Sequence, residues 1–228
     1  MFQGARDTLP MILAAIPFGA LYGALAQAAD LSLWVTTAMS LFVFAGSSQF
    51  VAVNMLLLGT PGIVIVIATF FINLRHLMYS ANLLEQVKHY PAPLRALMAF
   101  WLTDETFAVV SARLNTTPSH EGFHFYYLGS ALFMYLNWQA CSVAGYLLGA
   151  QIDDPLAWGL DIAMVVAFIG VIAPRLTNLP MWSCAIAAFF IALITKDWPY
   201  NSGLIFTMVS AIGLAMLVSH YQRQRHNE

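Results

Sequence analysis

The sequence predicts an all-α, polytopic transmembrane helix bundle of seven or eight spans, with an internal repeat and one or more broken helices. Three observations predict it. The 228-residue chain is 60% hydrophobic and only 9% charged, against about 25% charged residues in a soluble domain. Its mean hydropathy is +0.73. Its apolar runs recur at close to the ~20 residues a helix needs to cross a bilayer. No connector is long enough for a soluble domain, so residues 1–228 read as a single integral membrane domain. The net charge of −2, without any long basic block, argues against nucleic acid as a partner. Cys141 and Cys184 both lie in apolar runs and read as small buried hydrophobes rather than a disulfide pair.

The first run, 9–29, follows Arg6 and ends in Ala26-Gln27-Ala28, which imitates a secretory signal with its cleavage site. Pro17 and Gly19 interrupt it and many spans follow, so a first transmembrane helix is the expectation. Pro17 predicts a kink, and Gly19 and Gly23, spaced as G-x-x-x-G, let another helix approach closely.

The second run, 34–57, contains Phe44-Ala45-Gly46-Ser47-Ser48-Gln49-Phe50. Each unpaired backbone group in hydrocarbon costs several kcal/mol, so irregular backbone survives only where it lines an enclosed or watery path. The stretch predicts a helix break facing a substrate path. The third run, 63–83, carries Asn73-Leu74-Arg75-His76. Arg75 either snorkels to the interface or lies well inside the bilayer. His76 titrates near neutral pH when unperturbed, but no second His or Cys stands at ligand spacing, so no metal site is expected.

The fourth run, 95–113, places Asp104 and Glu105 at its centre. A mid-membrane carboxylate costs at least ~2.5–3.5 kcal/mol and usually marks an ion or substrate pathway. Helix neighbours point about 100° apart, so one carboxyl faces the path while the other pairs, with Arg75 or a neighbouring helix. A buried ion pair that merely holds helices together is the structural alternative. Runs 125–149, 157–174, 181–196 and 202–219 complete eight segments; a re-entrant segment would reduce the spans to seven. Asn137, Gln139 and Asp161 are weaker candidates in this half. With eight spans and the N-terminus inside, Arg6, Arg113, Arg175, Arg223 and Arg225 fall in the cytoplasm, while Lys88, Arg95 and Lys196 fall outside, a weak positive-inside bias.

Two halves, about 8–114 and 124–220, echo each other. Pro61 and Pro180 stand 119 residues apart, and at that offset the octets 67–74 and 186–193 share six of eight residues. Repeats with sites at their interface are a recurring transporter plan. The polar residues concentrate in the first half, since Asn73-Leu74-Arg75-His76 is answered by Ala192-Leu193-Ile194-Thr195.

Four ordered stretches carry a family resemblance: Thr8-Leu9-Pro10 with Ile16-Pro17-Phe18-Gly19, Phe44 to Phe50, Leu74-Arg75-His76-Leu77-Met78-Tyr79, and Leu102-Thr103-Asp104-Glu105-Thr106-Phe107. In their order and spacing the chain resembles the AzlC family, the large subunits of branched-chain amino-acid exporters. The resemblance implies export of leucine, isoleucine, valine and methionine across the bacterial cytoplasmic (inner) membrane, driven by the proton motive force. It also implies a small membrane partner of the AzlD type; the residues carry no cofactor-binding fingerprint, so no cofactor is expected. Asn73 stands where the family also takes Asp.

On these residues the expected substrate site comprises Pro17, Gly46, Ser47, Ser48, Gln49, Asn73, Arg75, Asp104 and Glu105. Asp104, Glu105 and His76 are the candidates for proton coupling. Amide groups after Gly46 would take a substrate carboxylate at a half-helix start. Asp104 or Glu105 would take the ammonium group, and Phe44, Phe50, Phe70 and Met39 would surround the side chain. A passive channel or transporter for another small solute is the competing class, and a structural membrane subunit the third. An intramembrane enzyme lacks a nucleophile motif or cofactor fingerprint, so no enzyme is expected.

Overall fold

The computed structural model describes residues 1–116, 122–151, 169, 173, 176–199 and 202–226. They fall into two compact units interleaved in sequence, Met1–Val53 with Ile72–Leu160, and Asn54–Phe71 with Asp161–Glu228. Every described element is an α-helix: α1 Phe2–Ala28, α2 Leu33–Phe42, α3 Gly46–Leu57, α4 Gly62–Val87, α5 Ala92–Phe100, α6 Asp104–Thr116, α7 Phe123–Gly149, α8 Leu179–Thr195 and α9 Ser202–His226. The predicted segment 157–174, with Asp161, lies outside the described residues apart from two isolated positions.

The first unit is organised on α1 and α7, its most extensive helix pair. They run parallel. Thr8 Oγ1 donates to Ser130 Oγ at 2.6 Å near one end, and Gly19, Gly23 and Ala24 meet Cys141, Ser142 and Gly149 further along. The approach is backbone to backbone. A Cβ on Gly23 would stand 2.0 Å from the Ser142 carbonyl oxygen, and one on Gly145 2.0 Å from that of Ala20. Small residues therefore do on both helices what the Gly19/Gly23 spacing suggests on one. Helix α1 passes unbroken through Pro10 and Pro17. It ends where Asp30 takes φ 56°, with Leu31 N–H bonding to the Ala26 carbonyl and Asp30 N–H to that of Gln27. This is a Schellman closure, in a conformation that Asp tolerates better than most residues.

The two predicted runs 34–57 and 95–113 are each broken in two, and in both the chain turns back along α7. Along α2 the partners on α7 fall in number. The Leu31 carbonyl accepts from Tyr146, that of Ser40 from Gln139, and that of Leu41 from Tyr135. After the break they rise again: Phe44 packs on Tyr135, Gln49 bonds to Trp138, and Phe50 meets Tyr22 of α1. The hairpin α2–α3 enters from the C-terminal end of α7.

The second hairpin enters from the opposite end. Tyr90, just before α5, lies against His124 at the start of α7. Trp101, just after it, packs on Tyr135 at 5.6 Å. Helix α6 then returns until Arg113 lies over the Tyr126 ring at 5.5 Å. Residues 104–116 and 123–135 each rise about 18 Å, so α6 has the length to retrace that path. The expected span with Asp104 and Glu105 at mid-helix is thus corrected: both residues open the returning arm, at the hairpin's interior tip. The two breaks fit the broken helices expected of the bundle, and among the described residues Phe2–Ala28, Gly62–Val87 and Ser202–Gln222 are long and apolar enough to cross a membrane.

In the second unit α8 begins at Asn178, whose side chain accepts from Met181 N–H at 3.0 Å, an N-cap that closes one otherwise unpaired donor. Pro180 follows in its first turn, and Pro61 immediately precedes α4, so the matched prolines both stand at helix starts. Thr195 at the end of α8 bonds toward Gly203 and Thr207 of α9. Large side chains such as Ile194, Phe189, Met216 and Leu217 are exposed, as a lipid-facing surface requires.

Candidate functional site

The two hairpin tips meet one residue of α7. Tyr135 packs edge-on against Phe44 at 4.8 Å, against Phe100 at 6.4 Å and against Trp101 at 5.6 Å. Its hydroxyl donates to the Leu41 carbonyl at 3.0 Å. That carbonyl and the Ser40 carbonyl belong to the last turn of α2, where no later helical N–H exists to bond them. Tyr135 and Gln139 supply the missing donors. At the other tip Tyr127 donates to the Met98 carbonyl in the last turn of α5, at 2.6 Å.

The first tip is a locked joint. Trp138 Nε1 donates to Gln49 Oε1 at 3.2 Å, Gln49 Nε2 to Ser40 Oγ at 3.0 Å, and Ser40 Oγ to Ser142 Oγ at 3.3 Å. Gln49 and Ser40 are completely buried. Gly46 lies beneath the Trp138 ring, which a Cβ would touch at 2.8 Å. Ser48 Oγ turns back to the Ala45 carbonyl at 2.9 Å. Phe44 holds φ 43° at the reversal, a conformation that costs a non-glycine residue about 1–3 kcal/mol, and its buried ring against Tyr135 offsets that cost. The break predicted at Gly46–Gln49 falls at Val43–Ala45; Gly46 to Phe50 are already helical. Gln49 and Ser48 are committed to internal hydrogen bonds, while Gly46 and Ser47 stay half-buried.

The second tip is charged. Thr103 Oγ1 accepts from Thr106 N–H at 3.3 Å and caps α6. Asp104 and Glu105 occupy the first turn, where the helix dipole favours negative charge. Arg75 Nη1 donates to Asp104 Oδ2 at 2.7 Å, an ion pair between side chains 25% and 11% exposed. Arg75 is the fourteenth of 26 residues in α4, a helix long and apolar enough to cross a membrane. It therefore lies near the middle of that helix, paired with Asp104. Glu105 is half-buried beside Asp104. One turn on, Tyr79 stacks on Phe107 at 4.5 Å, which aligns α4 with α6.

His76 Nδ1 lies 3.1 Å from the Asn73 carbonyl. A carbonyl only accepts, so Nδ1 carries the hydrogen in this contact. The Asn73 side-chain oxygen and Arg75 Nε are buried and make no hydrogen bond among the described residues.

The structure therefore gathers Arg75, Asp104 and Glu105 at one tip, places Asn73 and His76 beside Arg75 on α4, and puts Ser48 and Gln49 into the other tip's bonding. Pro17 lies on an exposed stretch of α1. Of the expected apolar group, Phe44 and Phe50 are buried and Phe70 is 62% exposed in the second unit. Sequence reasoning passed over Tyr127, Tyr135 and Trp138. The signal for them was a polar and aromatic stripe at helical spacing on α7, through Tyr135, Trp138, Gln139 and Ser142. Chemically, the charged tip offers one fixed cation beside two carboxyl groups, enough to hold a small zwitterion or exchange a proton.

The family described as AzlC protein matches residues 10–152, which include every residue of both tips. The chain is 29% identical over 177 residues to the Inner membrane protein YgaZ of Escherichia coli (strain K12), covering 76% of this chain and 69% of that one. It is 28% identical over 177 residues to an uncharacterized membrane protein of Archaeoglobus fulgidus, covering 76% and 75%. It is 26% identical over 162 residues to the Branched-chain amino acid transport protein AzlC of Bacillus subtilis (strain 168), covering 71% and 62%. No solved structure matches.

Proposed function

The chain belongs to the AzlC protein family, and on that footing we propose that it is a proton-coupled secondary transporter exporting branched-chain amino acids. Its membrane is the bacterial cytoplasmic membrane, and its partner a small AzlD-type subunit. A relative named for branched-chain amino acid transport supports the substrate class, and one named as an inner membrane protein supports the location. The observation that carries the reading is the charged tip, where Asp104 and Glu105 open a half-helix opposite Arg75 at mid-span. Charges at that depth are costly and are kept where ions or charged substrates pass.

In this reading the substrate ammonium group binds Glu105 or Asp104. The same carboxyl takes up a proton when the ammonium leaves, because a protonated carboxyl no longer attracts the cation. Proton entry then accompanies substrate release. The hairpins also sharpen orientation. Arg6 on α1, Lys88, Arg95 on α5 and Arg113 on α6 all come to the end where α7 begins, together with Asp7 and Glu85, while Asp30 lies at the other end. Cationic clustering at one end supports a cytoplasmic position for that end.

The test is leucine export from proteoliposomes under an imposed pH gradient, with and without a co-expressed small membrane subunit. Asp104→Asn and Glu105→Gln are each expected to lower proton-driven export on the order of tenfold, equivalent to about 1.4 kcal/mol. Full proton-driven export by both variants would remove the coupling assignment.

A further inference from the structure

The charged tip contains a donor edge that the ion pair leaves unused. A guanidinium carries five N–H donors in a rigid planar fork. The Arg75 contact to Asp104 runs through Nη1 alone, at 2.7 Å. Nε is buried, with no hydrogen-bond partner among the described residues. Leaving a charged donor buried and unbonded is unfavourable, and native proteins rarely do so without a reason. The Nε–Nη2 side of the fork has the spacing to grip both oxygens of a carboxylate side-on.

We propose that this edge of Arg75 is the carboxylate-binding subsite, taking the α-carboxylate of the substrate while Nη1 remains on Asp104. This deepens the transport reading and rests on it for the identity of the amino acid. It relocates the carboxylate end from the start of α3, where Ser48 and Gln49 are already engaged, to α4. Asp104 acts as a positioning residue that fixes the plane of the guanidinium. The half-buried Glu105 is left as the partner of the ammonium group. The chemical class follows: a free carboxylate is the required handle, and the amine adds affinity without being indispensable.

The experiment uses the wild-type protein with its small partner subunit in proteoliposomes, and four competitors of labelled leucine. Unlabelled 4-methyl-2-oxopentanoate and isovalerate keep the carboxylate and lack the amine. Leucinamide and isoamylamine keep the amine and lack the carboxylate. The oxo acid and isovalerate are expected to compete, more weakly than leucine itself. Leucinamide and isoamylamine are expected to be at least tenfold worse than leucine. Arg75→Lys retains the positive charge but loses the fork, and is expected to raise the leucine concentration for half-maximal uptake at least tenfold. A pair of amines that compete as well as leucine, in a protein that does move leucine, overturns the carboxylate subsite and leaves the transport reading intact. If no branched-chain amino acid moves, binding is read by thermal shift. Stabilisation by isovalerate that disappears in Arg75→Lys then upholds the subsite and sinks the substrate assignment, and no stabilisation by either carboxylate overturns both.

Discussion

Arg75→Gln is expected to abolish leucine transport and to destabilise the protein by about 3 kcal/mol, the low end of the cost of removing one member of a buried ion pair. The low end applies because the two side chains are 25% and 11% exposed, so water screens part of the loss. The double variant Arg75→Gln/Asp104→Asn removes both charges and permits a neutral amide–amide contact. It is expected to recover most of the stability and none of the transport. Thermal unfolding in detergent and leucine counterflow separate these outcomes. A purely structural ion pair predicts the reverse for the double variant, with transport returning alongside stability.

Gly145→Val is expected to prevent folding of the first unit. Even the first added carbon would stand 2.0 Å from the Ala20 carbonyl oxygen and 2.5 Å from its Cα, distances that no rotamer change relieves. Helices α1 and α7 would have to part. That would unseat Tyr22 from Trp138 and draw Ser142 away from Ser40, dismantling the locked tip as well. The loss exceeds ~4 kcal/mol, the range reserved for severe backbone clashes and core disruption. Size-exclusion chromatography of the solubilised protein should show aggregate or no protein. Gly213→Val on α9 is the matched control, because a Cβ there meets nothing within 4 Å, and it should elute as wild type.

Helix positions were legible in the sequence because hydropathy alone reports them: 63–83 and 125–149 became α4, Gly62–Val87, and α7, Phe123–Gly149. Direction was not legible. A polar interruption in an apolar run looks the same whether the chain continues across or doubles back, and only the partners on α7 distinguish the two. One signal was present but outweighed. Thr103 followed by Asp104 and Glu105 has the pattern of a helix start, a capping hydroxyl with acids in the first turn, yet the surrounding apolar residues argued for one continuous span. At the first tip there was less to read. The residue that makes the reversal is Phe44, not a glycine, and its conformation is imposed by burial against Tyr135. Gln49 shows a different limit: a buried polar side chain announces that it has partners, but not whether they are a substrate or, as here, Trp138 and Ser40.

The central claim is that α5 and α6 form a hairpin returning to the side it entered, which brings Asp104 and Glu105 to an interior tip. Arg95 and Asn115, both exposed, flank that hairpin. Each is replaced singly by cysteine in a Cys141→Ser/Cys184→Ser background and labelled with a membrane-impermeant maleimide, in right-side-out and inside-out vesicles. Both positions are predicted to label from the same, cytoplasmic, side. Labelling of Arg95→Cys and Asn115→Cys from opposite sides would contradict the hairpin and restore a membrane-crossing helix with its carboxyl groups at the centre.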